Sequence, residues 1–132
     1  MPIMDTRNKI IPPDRAVSLA GELRDRGAAV RVVTGYFDVL VADHVRRLRE
    51  IAGESGAVFA LVLDPPQPLL SRRARAELVA ALSVINYVVP AEEHTARELL
   101  GHFHPGEIVR EESADLLRAR GLSEHVQRRH QQ

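Results

Sequence analysis

The chain contains no cysteine, a single lysine and no long apolar run. Without cysteine there is no disulfide, no thiolate zinc site and no cysteine nucleophile. No stretch reaches the roughly 18 consecutive apolar residues of a membrane-spanning helix, and the opening MPIMDTRNK lacks the apolar centre of a secretion signal. The expectation is a cytoplasmic protein with no membrane partner. Eighteen basic residues balance eighteen acidic ones, so no net charge draws the chain to nucleic acid. Lysine occurs only at Lys9, and the other seventeen basic side chains are arginine. Repeats and low-complexity segments are missing as well.

What is present fits one domain. The 132 residues are 45% hydrophobic and 27% charged, enough to bury a core without staples. PPDRAVSLAGELRDRG, Pro12 to Gly27, reads as a helix capped by Asp14 and stopped by Gly27. AVRVVT (29–34) and AVFALVL (57–63) are continuous β-favouring runs, the pattern of parallel strands covered on both faces. Between them, Val45, Leu48, Ile51 and Ala52 recur at helical spacing. DPPQP ends the second strand, Ser71 caps a third helix, and a third strand runs from about Ile85 to Val89. Thr95 and Glu98 form a capping-box pattern for a fourth helix. GEIVRE suits a short strand, and 113–120 and 122–129 suit two tail helices. The alternation predicts an α/β fold, a three-layer α/β/α sandwich on a parallel sheet of four or five strands. Ligands of such sheets bind beyond the carboxyl ends of the strands, where the Thr34–His44 connection lies.

That connection, TGYFDVLVADHVRRL, together with VFALVLD, RARAELVAALSVINYVVP and EEHTARELL in the same order, resembles the nucleotidyltransferase α/β-phosphodiesterase superfamily. The likeness is to its cytidylyltransferase-like branch, which includes glycerol-3-phosphate cytidylyltransferase and the adenylyltransferase domain of ADP-heptose synthase. It covers about residues 9 to 110, with a helical tail from about 111 to 132, and implies a Rossmann-like, HUP-type fold. It also implies transfer of a nucleotidyl group from CTP or ATP to a phosphorylated small molecule, with Mg²⁺ accompanying the nucleotide, and a homodimer. Gly35, Tyr36, Phe37 and Asp38 match the family's Gly-x-Phe-Asp turn, where backbone amides approach phosphate. His44 matches the second histidine of its His-x-Gly-His motif, at a helix N-terminus that favours anions. His44 is the candidate catalytic residue if the chain is active. Arg75 matches an arginine that helps hold nucleotide phosphates.

The departures fall on triphosphate handling. Val41 stands at the first motif histidine and Asp43 at the motif glycine. Removing one preorganised donor from a transition-state site costs about 3 to 4 kcal/mol. A carboxylate about 4 Å from a phosphate charge opposes it by roughly 4 kcal/mol at an effective dielectric near 20. Asp43 can instead cap its own helix with oxygens that occupy the amides a phosphate would use, or bind Mg²⁺. No lysine follows the second strand, and the tail EESADLLRARGLSEHVQRRHQQ has isolated Ser113 and Ser123 where the family has a Ser/Thr-rich turn. Three functions follow as alternatives: a nucleotidyltransferase-like domain with degenerate catalysis and weak nucleotide or phosphosugar binding, an interaction module with a protein partner, or an active enzyme with a rearranged, metal-assisted site.

Blander roles compete at each position. Asp38 suits backbone hydrogen bonding, Phe37 packing, Arg75 a helix-surface ion pair, and His102 with His104 a surface pair; no metal ligand set is assigned.

Overall fold

The computed structural model of the chain describes residues 5–38, 40, 42–53 and 56–130. Val41 lies outside them. Four strands form one all-parallel sheet: β1 (Val30–Gly35), β2 (Ala57–Val62), β3 (Tyr87–Pro90) and β4 (Ile108–Arg110), in the spatial order β3-β2-β1-β4. Val30 pairs with Ala57 and Gly35 with Val62, so β1 and β2 run in register along their whole length. β4 pairs with β1 through Val32–Ile108 to Thr34–Arg110. This is the Rossmann-like α/β sandwich expected.

The buried strand pattern has its cause on both faces. Helices α2 (Ala42–Ala52) and α3 (Arg72–Ala80) cover one face, where Leu48, Ile51, Ala76 and Val79 pack on Val33, Val58, Ala60 and Val62. Helices α1 (Pro13–Asp25) and α4 (Glu93–Leu100) cover the other, where Ala16, Ala20, Ala96 and Leu99 meet Val32, Phe59 and Leu61. Every residue of β2 is buried. Helix α5 (Glu112–His130) follows β4 directly.

Local details differ from expectation. The N-cap of α1 is Pro12, with Pro13 at a position where its missing N–H costs nothing, so Asp14 sits in the first turn rather than at the cap. Glu92, not Thr95, precedes α4, because the chain is already helical from Glu93. The tail is one continuous helix through Gly121, since a glycine costs only about 1 kcal/mol in a helix interior and does not itself end it. Ser71 caps α3 as expected, accepting from the Ala74 amide at 3.1 Å. Lys9 donates to the carbonyls of Leu82 and Ile85, pinning the N-terminal segment to the loop between α3 and β3.

The chain moves outward from β1 to β2 and β3, then returns to place β4 on the opposite side of β1. The sheet's switch point therefore lies between β1 and β4. Two connections leave from it: the Gly-Tyr-Phe-Asp turn into α2, and Glu111 into α5.

Candidate functional site

The site is built on those two connections. Gly35 ends β1 and Phe37 takes a positive φ of 53°. That left-handed conformation costs about 1 to 2 kcal/mol in a non-glycine residue. Burial offsets it: the Phe37 ring is fully buried and stacks on the His44 imidazole, centroids 5.4 Å apart and planes within 5°. The turn aims the amides of Tyr36 and Phe37 at one point beyond the sheet, and His44, in the first turn of α2, borders the same point.

A carboxylate occupies that point. Asp115 of α5 accepts from the Tyr36 amide at 2.7 Å and the Phe37 amide at 3.3 Å, through Oδ2. Its Oδ1 lies 3.2 Å from His44 Nε2 and 2.9 Å from Arg118 Nη1. Two backbone amides, an imidazole and a guanidinium around one acid group are the donor set that suits a phosphate. Gly35 permits the approach: a Cβ there would lie 2.6 Å from Asp115 Oδ2. Burial pushes the Asp115 carboxyl above the ordinary carboxylate range, while His44, the two amides and Arg118 pull it back. Glu112 accepts from the Thr34 hydroxyl, and Glu111 accepts from Arg47 Nε at 3.0 Å.

The expected site residues thus separate. Gly35, Tyr36, Phe37 and His44 converge on the cradle. Asp38 makes its hydrogen bonds elsewhere, accepting from the amides of Leu69 at 2.7 Å and Leu70 at 2.9 Å, which ties the turn to the segment before α3. Arg75 is fully buried and not a helix-surface residue. Its guanidinium donates to the carbonyls of Tyr36 at 2.9 Å, Leu70 at 3.1 Å and Leu63, and to Asp64. These partners take up the fork that a nucleotide phosphate would need. Arg72 and Arg75 hold the Asp64 carboxyl down to about 2.

Asp43 does not fill the anion site as the capping reading expected. Its side chain is 77% exposed and pairs with Arg46, and the carboxylate in the cradle comes from another helix. Nor does Asp43 fit a resident Mg²⁺: an arginine already neutralises it, and among the described residues no three His, Asp or Glu side chains converge on a metal position.

Cavities flank the cradle on either side of Tyr36. One, of about 220 Å³, is lined by Tyr36, Asp38, Pro65, Pro66, Asp115 and Leu116. The other, of about 340 Å³, sets Asp64, Glu92, Glu93 and Glu112 against Arg110 alone. Burial, with Glu112 and Asp115 nearby, pushes the Tyr36 phenol up.

Sequence reasoning missed Asp115, together with Glu111 and Glu112. The signal was the tail's own pattern: Leu116 and Leu117 are adjacent rather than spaced as a stripe, while Glu111, Asp115 and Arg118 share one helical face.

No protein-family model matches the chain. Among curated proteins, it is similar to bifunctional protein HldE of Syntrophotalea carbinolica, 34% identical over 114 residues, which cover 74% of this chain and 23% of the relative. The HldE of Nitrobacter winogradskyi is 29% identical over 130 residues, 82% of this chain and 27% of the relative. That of Hydrogenovibrio crunogenus is 30% identical over 106 residues, 74% and 22%. The chain spans about a quarter of the length of these relatives. The matches bear out the resemblance to the cytidylyltransferase-like nucleotidyltransferases read from the sequence.

Proposed function

We propose, on the premise that this chain is a relative of the HldE proteins, that it is a nucleotidyltransferase-like domain whose triphosphate site is degenerate. The fold and the amide-presenting turn are retained, while the positive charge the chemistry needs is replaced. The observation that carries this reading is the Asp115 carboxylate on the Tyr36 and Phe37 amides, 3.2 Å from His44. Nucleotidyl transfer needs no protein nucleophile, so its catalysis rests on positioning and on neutralising phosphate charge. Here the anion position already holds a negative charge, Arg75 is committed to carbonyls and Asp64, and the neighbouring cavity is lined by four acids. ATP or CTP binding is accordingly weak, and a phosphosugar is the acceptor class the kinship suggests.

The test is pyrophosphate release from ATP or CTP with Mg²⁺ and a panel of sugar phosphates. The expected result is no release above the uncatalysed background. Steady turnover abolished by His44→Ala would overturn the degenerate-site reading in favour of a rearranged active enzyme.

A second reading, an interaction module, is favoured by Leu116 and Leu117, which are 44% and 66% exposed on α5, and by Leu69 at 78%. It includes a homodimer. Sedimentation analysis of the wild type beside Leu116→Ser/Leu117→Ser tests it: a dimer lost in the variant supports the module, and a monomer in both removes the homodimer.

A further inference from the structure

We propose that α5 is a displaceable plug: Asp115 stands in for a phosphate group, and a phosphate-bearing ligand that takes the Tyr36 and Phe37 amides and His44 releases the helix. The inference rests on reading the cradle as a phosphate site, and it adds how that site is regulated.

The way α5 is seated carries the argument. Helices in proteins are held mainly by burying an apolar face. Over residues 112–121 of α5, Asp115 is the only buried one, and the leucines at 116 and 117 are both exposed. This part of the helix is anchored by polar contacts instead: Asp115 to the two amides and His44, and Glu112 to Thr34. Contacts of that kind are open to competition from an anion of the same shape and higher charge, whereas apolar burial is not.

The eviction is also compensated. Glu111, one residue before α5, holds Arg47 at 3.0 Å and lies 3.8 Å from Arg118. If Glu111 is drawn off with the helix, Arg47 keeps only Glu50, at 3.5 Å, and its guanidinium becomes free to approach the incoming phosphates. Gly35 leaves the space needed, since the volume its Cβ would fill is the volume Asp115 Oδ2 now borders.

Hydrogen exchange over residues 112–120 of the full chain, with and without inorganic tripolyphosphate, tests the proposal. Exchange there should rise saturably with tripolyphosphate and not with sodium chloride at matched ionic strength. Asp115→Asn, with its fold checked by circular dichroism, should show fast exchange in α5 without ligand and bind tripolyphosphate roughly 5- to 150-fold more tightly than wild type, the usual span of a coupling between two states. Binding by wild type with α5 exchange unchanged overturns the plug, and so does an Asp115→Asn protein that binds no better. If that variant fails to fold, the wild-type exchange experiment decides alone: a saturable rise supports the plug and its absence overturns it. The two ideas fail differently. Turnover of ATP or CTP by wild type sinks the degenerate-site reading and leaves the plug as its gate, whereas an unresponsive α5 sinks only the plug.

Discussion

Arg75→Ala separates a structural arginine from a ligand-binding one. The side chain is fully buried and donates to three carbonyls, from Tyr36, Leu63 and Leu70, besides its ion pair with Asp64. It therefore joins the turn after β1, the end of β2 and the segment before α3. Truncation leaves those acceptors without their donor, at about 1 to 3 kcal/mol for each one that water does not reach. Breaking a buried charge pair by removing one partner costs about 3 to 5 kcal/mol, but Asp64 is 41% exposed and can turn to solvent. A net loss of about 3 to 5 kcal/mol follows, a large part of the roughly 5 to 15 kcal/mol that holds a domain together. With a urea slope of about 2 kcal/mol per molar, the unfolding midpoint drops by about 1.5 to 2.5 M. Arg75→Lys falls between, because one ammonium cannot reproduce the fork. Urea unfolding followed by circular dichroism is the assay. A loss below about 1 kcal/mol for Arg75→Ala, together with weakened nucleotide binding, would refute the structural role and return Arg75 to the nucleotide site.

Gly35→Ala should unseat Asp115 without touching a charge, since the new methyl would lie 2.6 Å from its Oδ2 and 3.1 Å from the Phe37 ring. The expected cost is about 1 to 3 kcal/mol, with faster exchange in 112–120; unchanged stability and exchange would show that the approach is looser than described. The Asp64 latch gives a pH signature. Its folded-state pKa is lowered from the ordinary 3.8 to about 2, so its contribution is present above pH 3.8 and is lost as pH falls through about 2. Because Asp64 is substantially exposed, screening leaves that contribution at about 1 kcal/mol or less. Asp64→Asn should lower stability slightly at neutral pH and flatten the acid limb between pH 4 and 2, which unfolding curves at stepped pH would detect.

The layers of the fold were legible because buried parallel strands have a strong signature: AVRVVT and AVFALVL leave no polar face, and both are covered on each side. The turn was legible through resemblance, since Gly35, Tyr36, Phe37 and Asp38 match the family's turn within a collinear run of separated segments. The partners of those residues were not legible. Nothing local to Arg75 says that its guanidinium reaches back to Tyr36, 39 positions earlier, or that Asp38 will accept from Leu69 and Leu70. Such contacts are set by where the sheet order brings the loops, and the return of β4 to the far side of β1 is a property of topology that spacing does not encode.

The same return explains why the wrong aspartate was expected in the cradle. Asp43 adjoins the motif in sequence, but in the first turn of α2 its side chain points to solvent and meets Arg46. Asp115 is 79 positions from Tyr36, yet β4 delivers α5 beside the end of β1, so the fourth residue of that helix meets the turn amides. A phosphate charge about 4 Å from an unmoved Asp115 would be opposed by roughly 4 kcal/mol at an effective dielectric near 20, for each charge pair. Two favourable hydrogen bonds to an anion, at about 1.5 to 3 kcal/mol each, total about 3 to 6 kcal/mol, less than the roughly 8 kcal/mol that opposes a phosphate carrying two charges. An anion and Asp115 therefore exclude one another at this point of the sheet, and any ligand that binds through the Tyr36 and Phe37 amides must first move the helix.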